Sequence, residues 1–271
     1  MRITSLAQTG LPKLIDVFLR AFEGYFVPLP KNPSYWEDRF RSAGVDLSRS
    51  YGAFDGEQLV AFIIHGFGVL DGQHTAFNTG TGVLHAYRGR KLVDAIYAEA
   101  LPSLRTHGIA QSTLEVITKN TVAIRLYERI GFQCMHEWRS FLGTLSAVDT
   151  EVRLIKADIT GSNLGPDTCY SWDFRSESLL RAPQRWQLFT LNGDLRAGHV
   201  VIDLSTGRVG RLGVANEDDT AQWQQLLKAL AEVKTEVRMI NVHEKRTTLI
   251  ESLLESGLAN VVDQLEMRMA L

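Results

Sequence analysis

LEVITKNTVAIRLYERIGF, residues 114–132, decides how this chain reads. Thr113–Ile117 has the composition of a strand, with Glu115 on it. Asn120 stands where a side chain caps a helix, and Gly131 stands where a left-handed residue ends one. The segment 120–130 between them is predicted to be helical, with Tyr127 two turns in. A second strand follows over Phe132–Leu142.

Upstream, GVLHAYRGRKLV (82–93) runs from a strand end into another helix, Lys91–His107. Its Leu92, Ile96, Tyr97, Ala100, Leu101 and Leu104 share one face. A turn that feeds a helix N-terminus offers unpaired N–H groups and the positive end of the helix dipole, which suits a pyrophosphate. Arg88, Arg90 and Lys91 add charge to it. On these residues alone the turn is either an anion site or a solvated basic turn. Tyr127, likewise, is either a functional phenol or a core aromatic.

The remainder of the first half supplies a strand over 1–6, a helix over Leu11–Glu23 and a proline-broken aromatic stretch, GYFVPLPKNP (24–33). A short helix then carries Tyr35, Trp36 and Phe40. Strands Ser50–Phe54, Leu59–Val69 and Thr75–Leu84 are separated by Asp55-Gly56 and Asp71-Gly72 turns. The order β-α-α-β-β-β-α-β-α-β predicts an α+β unit.

Downstream the pattern repeats. INVHEKRTTLIESLLESGL (240–258) aligns without a gap to 114–132, so that Val116 meets Val242, Ile124 meets Ile250 and Gly131 meets Gly257. LGVANEDDTAQWQQLLK (212–228) aligns with TGVLHAYRGRKLVDAIY (81–97), again a Gly-Val strand end before an amphipathic helix. The turn-rich stretches GTLSAVDT (143–150) and GSNLGPDT (161–168) mark the join. EVRLIKADI (151–159) between them fits either half as a strand. Two copies of one α+β unit are expected, over 1–146 and 147–271.

Composition narrows the function. The net charge of -2 disfavours a strongly basic nucleic-acid binder. Cys134 and Cys169 form no metal or disulfide pattern, there is neither CxxC nor HExxH, and free thiols fit a reducing compartment. The leading MRITSLAQTG has no apolar signal core, and the longest apolar run, LVAFIIHGFGVL (59–70), is too short to span a bilayer. A cytoplasmic protein without metal or membrane attachment is expected.

Asn120, Ala123, Leu126, Tyr127, Glu128, Gly131 and Phe132 form the pattern N-x-x-A-x-x-L-Y-E-x-x-G-F. Together with GVLHAYRGRKLV, it resembles the acyl-CoA-binding and helix motifs of the GNAT superfamily of N-acetyltransferases. The resemblance covers about residues 1–143, and the second half resembles a diverged copy. It implies two GNAT-like mixed-sheet domains in tandem, each a mostly antiparallel sheet flanked by helices. The co-substrate it implies is acetyl-CoA, and the acceptor is a small-molecule or peptide amine. A monomer or homodimer is expected.

The resemblance also implies roles. The backbone of Val83, Leu84 and His85 would line the pantetheine arm and polarise the thioester carbonyl, and Arg88, Gly89, Arg90, Lys91, Leu92 and Val93 would hold the pyrophosphate. Asn120 would contact the arm. Tyr127 would protonate the leaving thiolate, and Glu115 would take the amine proton directly or through water. Phe22, Tyr25, Phe26 and Trp36 are the candidates for the acceptor pocket, with core packing the alternative for Phe22 and Trp36. The family's loop is Q/R-x-x-G-x-G/A, so Lys91 and Val93 stand where small residues are usual. The strand before Val83, AFNTGTG, carries no carboxylate, which leaves His74 and His85 as other nearby bases.

Two other functions stay open on the sequence. One is an acyl-CoA-binding or sensing protein without turnover, and the other is a tandem relative that transfers an aminoacyl group from charged tRNA. In the second copy Glu115 aligns with Asn241, Asn120 with Arg246, Tyr127 with Leu253 and Arg88 with Asp219. That copy is expected to keep its fold and lack the chemistry.

Overall fold

The chain opens with strand β1 (Arg2–Ser5) and helix α1 (Leu11–Ala21), which buries Leu14, Ile15, Val17, Phe18 and Ala21. Helix α2 (Pro33–Ala43) starts at Asn32, whose side chain accepts the Ser34 N–H, and stops at Gly44. Strands β2 (Tyr51–Asp55), β3 (Gln58–Leu70) and β4 (Gln73–Val83) follow. Helix α3 (Leu92–Thr106), strand β5 (Gln111–Ile117) and helix α4 (Thr121–Ile130) complete the motif region, and strand β6 (Gln133–Thr144) comes next. This is the expected order of elements.

The second half contains β7 (Leu154–Ala157), the short helix α5 (Ser176–Leu180), β8 (Gln187–Leu191), β9 (Asp194–Asp203) and β10 (Arg208–Val214). Helix α6 (Thr220–Val233), β11 (Glu236–His243), α7 (Thr247–Glu255) and β12 (Ala259–Ala270) follow. This computed structural model describes residues 1–147 and 151–271, so part of the expected join, 148–150, lies outside the described residues.

In the first unit, β1, β2, β3 and β4 are joined in antiparallel order, and β5 pairs with β4 in parallel. The interior is apolar: Phe62, Ile63 and Ile64 of β3 are fully buried. The parallel pairing covers only Thr75–Asn78 against Gln111–Leu114. Beyond Asn78 the two strands part, and Thr79–Val83 keep β3 on one side alone. Gly82 brings α1 close to this opening, since a Cβ there would meet the Ala21 Cβ at 2.9 Å.

The second unit repeats the plan. β7, β8, β9 and β10 are antiparallel neighbours, and β11 pairs with β10 in parallel only at Arg208–Val209. Its core is built on Trp223, Leu226, Leu230, Val237, Leu249 and Leu253. β7 pairs with β8, which assigns EVRLIKADI to this unit.

The compact units do not run as two consecutive stretches of chain. The units are Met1–Met135 with Glu266–Leu271, and His136–Leu265. The cause is strand pairing. β6 joins β11, from Glu236 opposite Thr144 to His243 opposite Trp138. The last residues of the chain lie beside β5, where the Thr113 hydroxyl donates to the Met267 carbonyl at 3.1 Å.

Candidate active site

The parting of β4 from β5 opens a cleft of about 620 Å³ in the first unit. It runs along Thr81, Gly82 and Val83, over the Arg88–Val93 turn and past Asn120 to Tyr127. One wall is the loop after α1, with Phe22, Tyr25 and Phe26.

The floor is backbone. The Leu84 N–H donates to Val60 of β3 at 2.9 Å. The antiparallel alternation therefore turns the peptide groups of Val83 and Thr81 away from β3, toward the opening. Val83 thus presents backbone to the cleft. Leu84 does not, and it lies outside the lining. His85, in a short 3-10 turn (His85–Tyr87), lies outside it too. The expected backbone pair contracts to Val83.

The turn is shaped for an anion. Gly89 has φ 76° and Lys91 has φ 54°, both left-handed. Lys91 is the residue before α3 and gives the helix no side-chain cap, so the leading N–H groups of α3 lack a side-chain acceptor. A lysine in this conformation is strained by about 1–2 kcal/mol. It adopts the glycine-like geometry of the motif position that it occupies.

Arg88 is committed elsewhere: its Nη2 donates to the Ala21 carbonyl at 2.9 Å and its Nε to the Val83 carbonyl at 3.3 Å. It ties α1, β4 and the turn together. Arg90 reaches back to the Ala86 carbonyl at 3.1 Å and lies over the Tyr87 ring. Lys91 makes no ion pair or hydrogen bond with its ammonium among the described residues.

Asn120 caps α4, its Oδ1 accepting the Ala123 N–H at 3.3 Å. Burial pushes the pKa of the nearby Tyr25 hydroxyl up, against the pull of the Asn120 side chain. The helix it starts holds Tyr127, of which 7% is exposed, in the cleft lining. Burial pushes the Tyr127 phenol up to about 12, against donors that pull the other way. It stays protonated throughout the neutral range.

Other expected site residues fall elsewhere. Trp36 is buried against Phe18, at 4.5 Å between ring centroids, and its Nε1 donates to the Pro30 carbonyl, so it belongs to the core. Glu115 is half-buried on β5 and outside the cleft lining, as are His74 and His85. The carboxylates in the lining are Glu23 and Asp94, and Asp94 is held by Arg129 at 2.8 Å. Sequence reasoning missed Thr81, Asn78 and Tyr97, where the buried Asn78 Nδ2 donates to Thr81 Oγ1 at 2.7 Å and to Tyr97 Oη at 2.9 Å. Only the polar residues inside AFNTGTG signalled them. No group of side chains suited to a metal occurs among the described residues, and no helix there is long and apolar enough to cross a membrane.

A parted pair of strands, a left-handed turn into an uncapped helix and a buried tyrosine meet in this one cleft. Residues 11–132 match the Acetyltransferase (GNAT) family, and the chain as a whole has the tandem GNAT fold. Three solved structures resemble nearly all of it. An assigned acetyltransferase of Pyrococcus horikoshii has a TM-score of 0.73 at 16% identity, over 100% of this chain and 89% of its own. A tandem GNAT protein from the clavulanic acid biosynthesis pathway has a TM-score of 0.69 at 14% identity, over 99% and 98%. A GCN5-related N-acetyltransferase from Sphaerobacter thermophilus has 0.65 at 15% identity, over 99% and 95%. At these identities the likeness concerns the fold. No curated protein sequence matches the chain.

Proposed function

We propose that the chain is an acetyl-CoA-dependent N-acetyltransferase that acylates a primary amine by direct attack, at one site in the first unit. The observation that carries this is the cleft itself, which joins the uncapped start of α3 to the Tyr127 hydroxyl along a strand edge that β5 has left. Acetyl-CoA supplies the activated acyl group. The N–H groups at the start of α3, with Arg90 and Lys91, hold its pyrophosphate. Arg88 acts one step back, by fixing the turn to α1 and β4. Val83 places a backbone N–H where the oxyanion develops.

An alkyl ammonium has a pKa near ~10.4, so the attacking nitrogen needs its proton removed. Glu115 takes it through water, because it lies outside the cleft lining. Tyr127, protonated at every working pH, donates to the departing thiolate. Phe22, Tyr25 and Phe26 enclose the body of the acceptor, a small molecule or a peptide terminus.

Thiol release from acetyl-CoA across a panel of primary amines tests this reading. Tyr127→Phe should slow release by about 10- to 100-fold and keep CoA affinity within about twofold. The loss should not vary with pH, since the phenol titrates only at about 12. Glu115→Gln should slow release most at neutral pH, the deficit shrinking toward pH ~10 as the amine loses its proton unaided. CoA bound without thiol release to any amine would favour a sensing protein instead.

A further inference from the structure

The start of α3 carries an acid where an anion is to sit. Its leading N–H groups have no side-chain cap from Lys91, and Arg90 and Lys91 add positive charge just before it. Yet Asp94, the third residue of the helix, brings a carboxylate into the lining of the same cleft. An acid in a first turn is favoured by the helix dipole, and from this position it can turn back on the N–H groups of its own helix start. There it would compete with an anion for those donors and repel it. Among the described residues, the Asp94 carboxylate accepts only from Arg129, its Oδ1 taking Nε at 3.0 Å and Nη2 at 2.8 Å. Arg129 sits in the last turn of α4 and lines the cleft as well, so the pair joins the two helices along the opening. The Arg129 side chain is 56% exposed and that of Asp94 31%, and an ion pair this open contributes little to folding. The second unit carries no cation here: Arg129 aligns with Glu255, whose carboxylate accepts from Gln224 at 3.2 Å.

We propose that Arg129 is a positioning residue for the co-substrate: it holds the Asp94 carboxylate off the start of α3 and cancels its charge, so that the helix N–H groups stay open to the pyrophosphate. This rests on the reading of the first cleft as an acetyl-CoA site. Two donors of one guanidinium converge on a single carboxylate oxygen, which fixes where the acid lies as well as neutralising it. A lysine would neutralise it as a point charge and fix it less. With Asp94 and Arg129 balanced against each other, the net positive charge of the turn is left to Arg90 and Lys91. The pair therefore accounts for an acid inside a cleft that receives a polyanion.

The test is a double-mutant cycle on the full chain, with coenzyme A as probe and affinity measured by calorimetry. Arg129→Gln leaves Asp94 bare and should weaken CoA binding about 10-fold at low salt. The deficit should shrink as ionic strength rises, because both groups are open to solvent. Arg129→Lys keeps the charge and should lose no more than about threefold. Asp94→Asn removes the acid and frees the guanidinium, so it should tighten binding by about two- to threefold. Joining Arg129→Gln to Asp94→Asn should bring affinity back within about twofold of the wild type, since no bare carboxylate remains. All four variants should unfold within about 3 °C of the wild type. Wild-type affinity in Arg129→Gln would overturn the proposal. So would a double variant as weak as Arg129→Gln, which would make Arg129 a direct contact of the co-substrate. A wild-type chain that binds no CoA would overturn the reading of the cleft, and the proposal with it.

Discussion

In the first unit, the turn from β4 into α3 leaves the helix uncapped, with Lys91 held left-handed and three cations on the segment. In the second, the turn from β10 into α6 ends on Asp219, whose carboxylate accepts the N–H groups of Ala221 and Gln222 at 2.9 and 3.3 Å. Glu217 is gripped by Arg246 through two contacts of 2.9 and 3.0 Å. The strand edges differ as well. The edge beside Thr81 in the first unit is open, whereas the Leu212 carbonyl in the second is taken by the Tyr170 hydroxyl and by Arg246, each at 2.8 Å. A cleft of about 560 Å³ persists there, lined by the chain's own internal partners. An anion site is defined by donors that the fold leaves unsatisfied. The second unit keeps the scaffold and satisfies the donors itself.

The comparison breaks most visibly at the residue before each helix. Lys91→Asp copies Asp219 into the first unit, giving α3 a cap and placing a negative charge against the pyrophosphate. CoA affinity measured by calorimetry should fall about 100-fold, which is about 2.7 kcal/mol. Thermal unfolding of the variant should occur no lower than in the wild type, because an aspartate is the better cap. The reverse change has a smaller effect. Asp219→Ala should lower the stability of the second unit by about 1 kcal/mol in denaturant unfolding. It should create no new CoA site, since Tyr170 and Arg246 still hold the Leu212 carbonyl.

Most of this scaffold was legible because each element carries its own punctuation. Asn120 and Gly131 bound α4 as read, and Asp55-Gly56 and Asp71-Gly72 separate β2, β3 and β4 as read. The repeat was legible through its apolar spacing. Its register at the phosphate turn was not, because the turn from Val83 to Leu92 is three residues longer than that from Val214 to Thr220. Asp219 therefore stands opposite Lys91, not Arg88. Long-range pairing was invisible for a different reason. Nothing local to β6 or to the last residues of the chain says which sheet edge each will join. The same holds for Arg88, whose charge suited a phosphate while its actual partners, the Ala21 and Val83 carbonyls, depend on how α1 packs. Trp36 read as either core or pocket because an aromatic beside a loop has the same sequence signature in both.

The central claim is that one unit binds CoA and the other has closed its site from within. Isothermal titration of the full chain with CoA tests it most directly. The account predicts one site per chain, abolished or severely weakened by Lys91→Asp and unchanged by Asp219→Ala. Two equivalent sites per chain, or one site indifferent to Lys91→Asp, would contradict it.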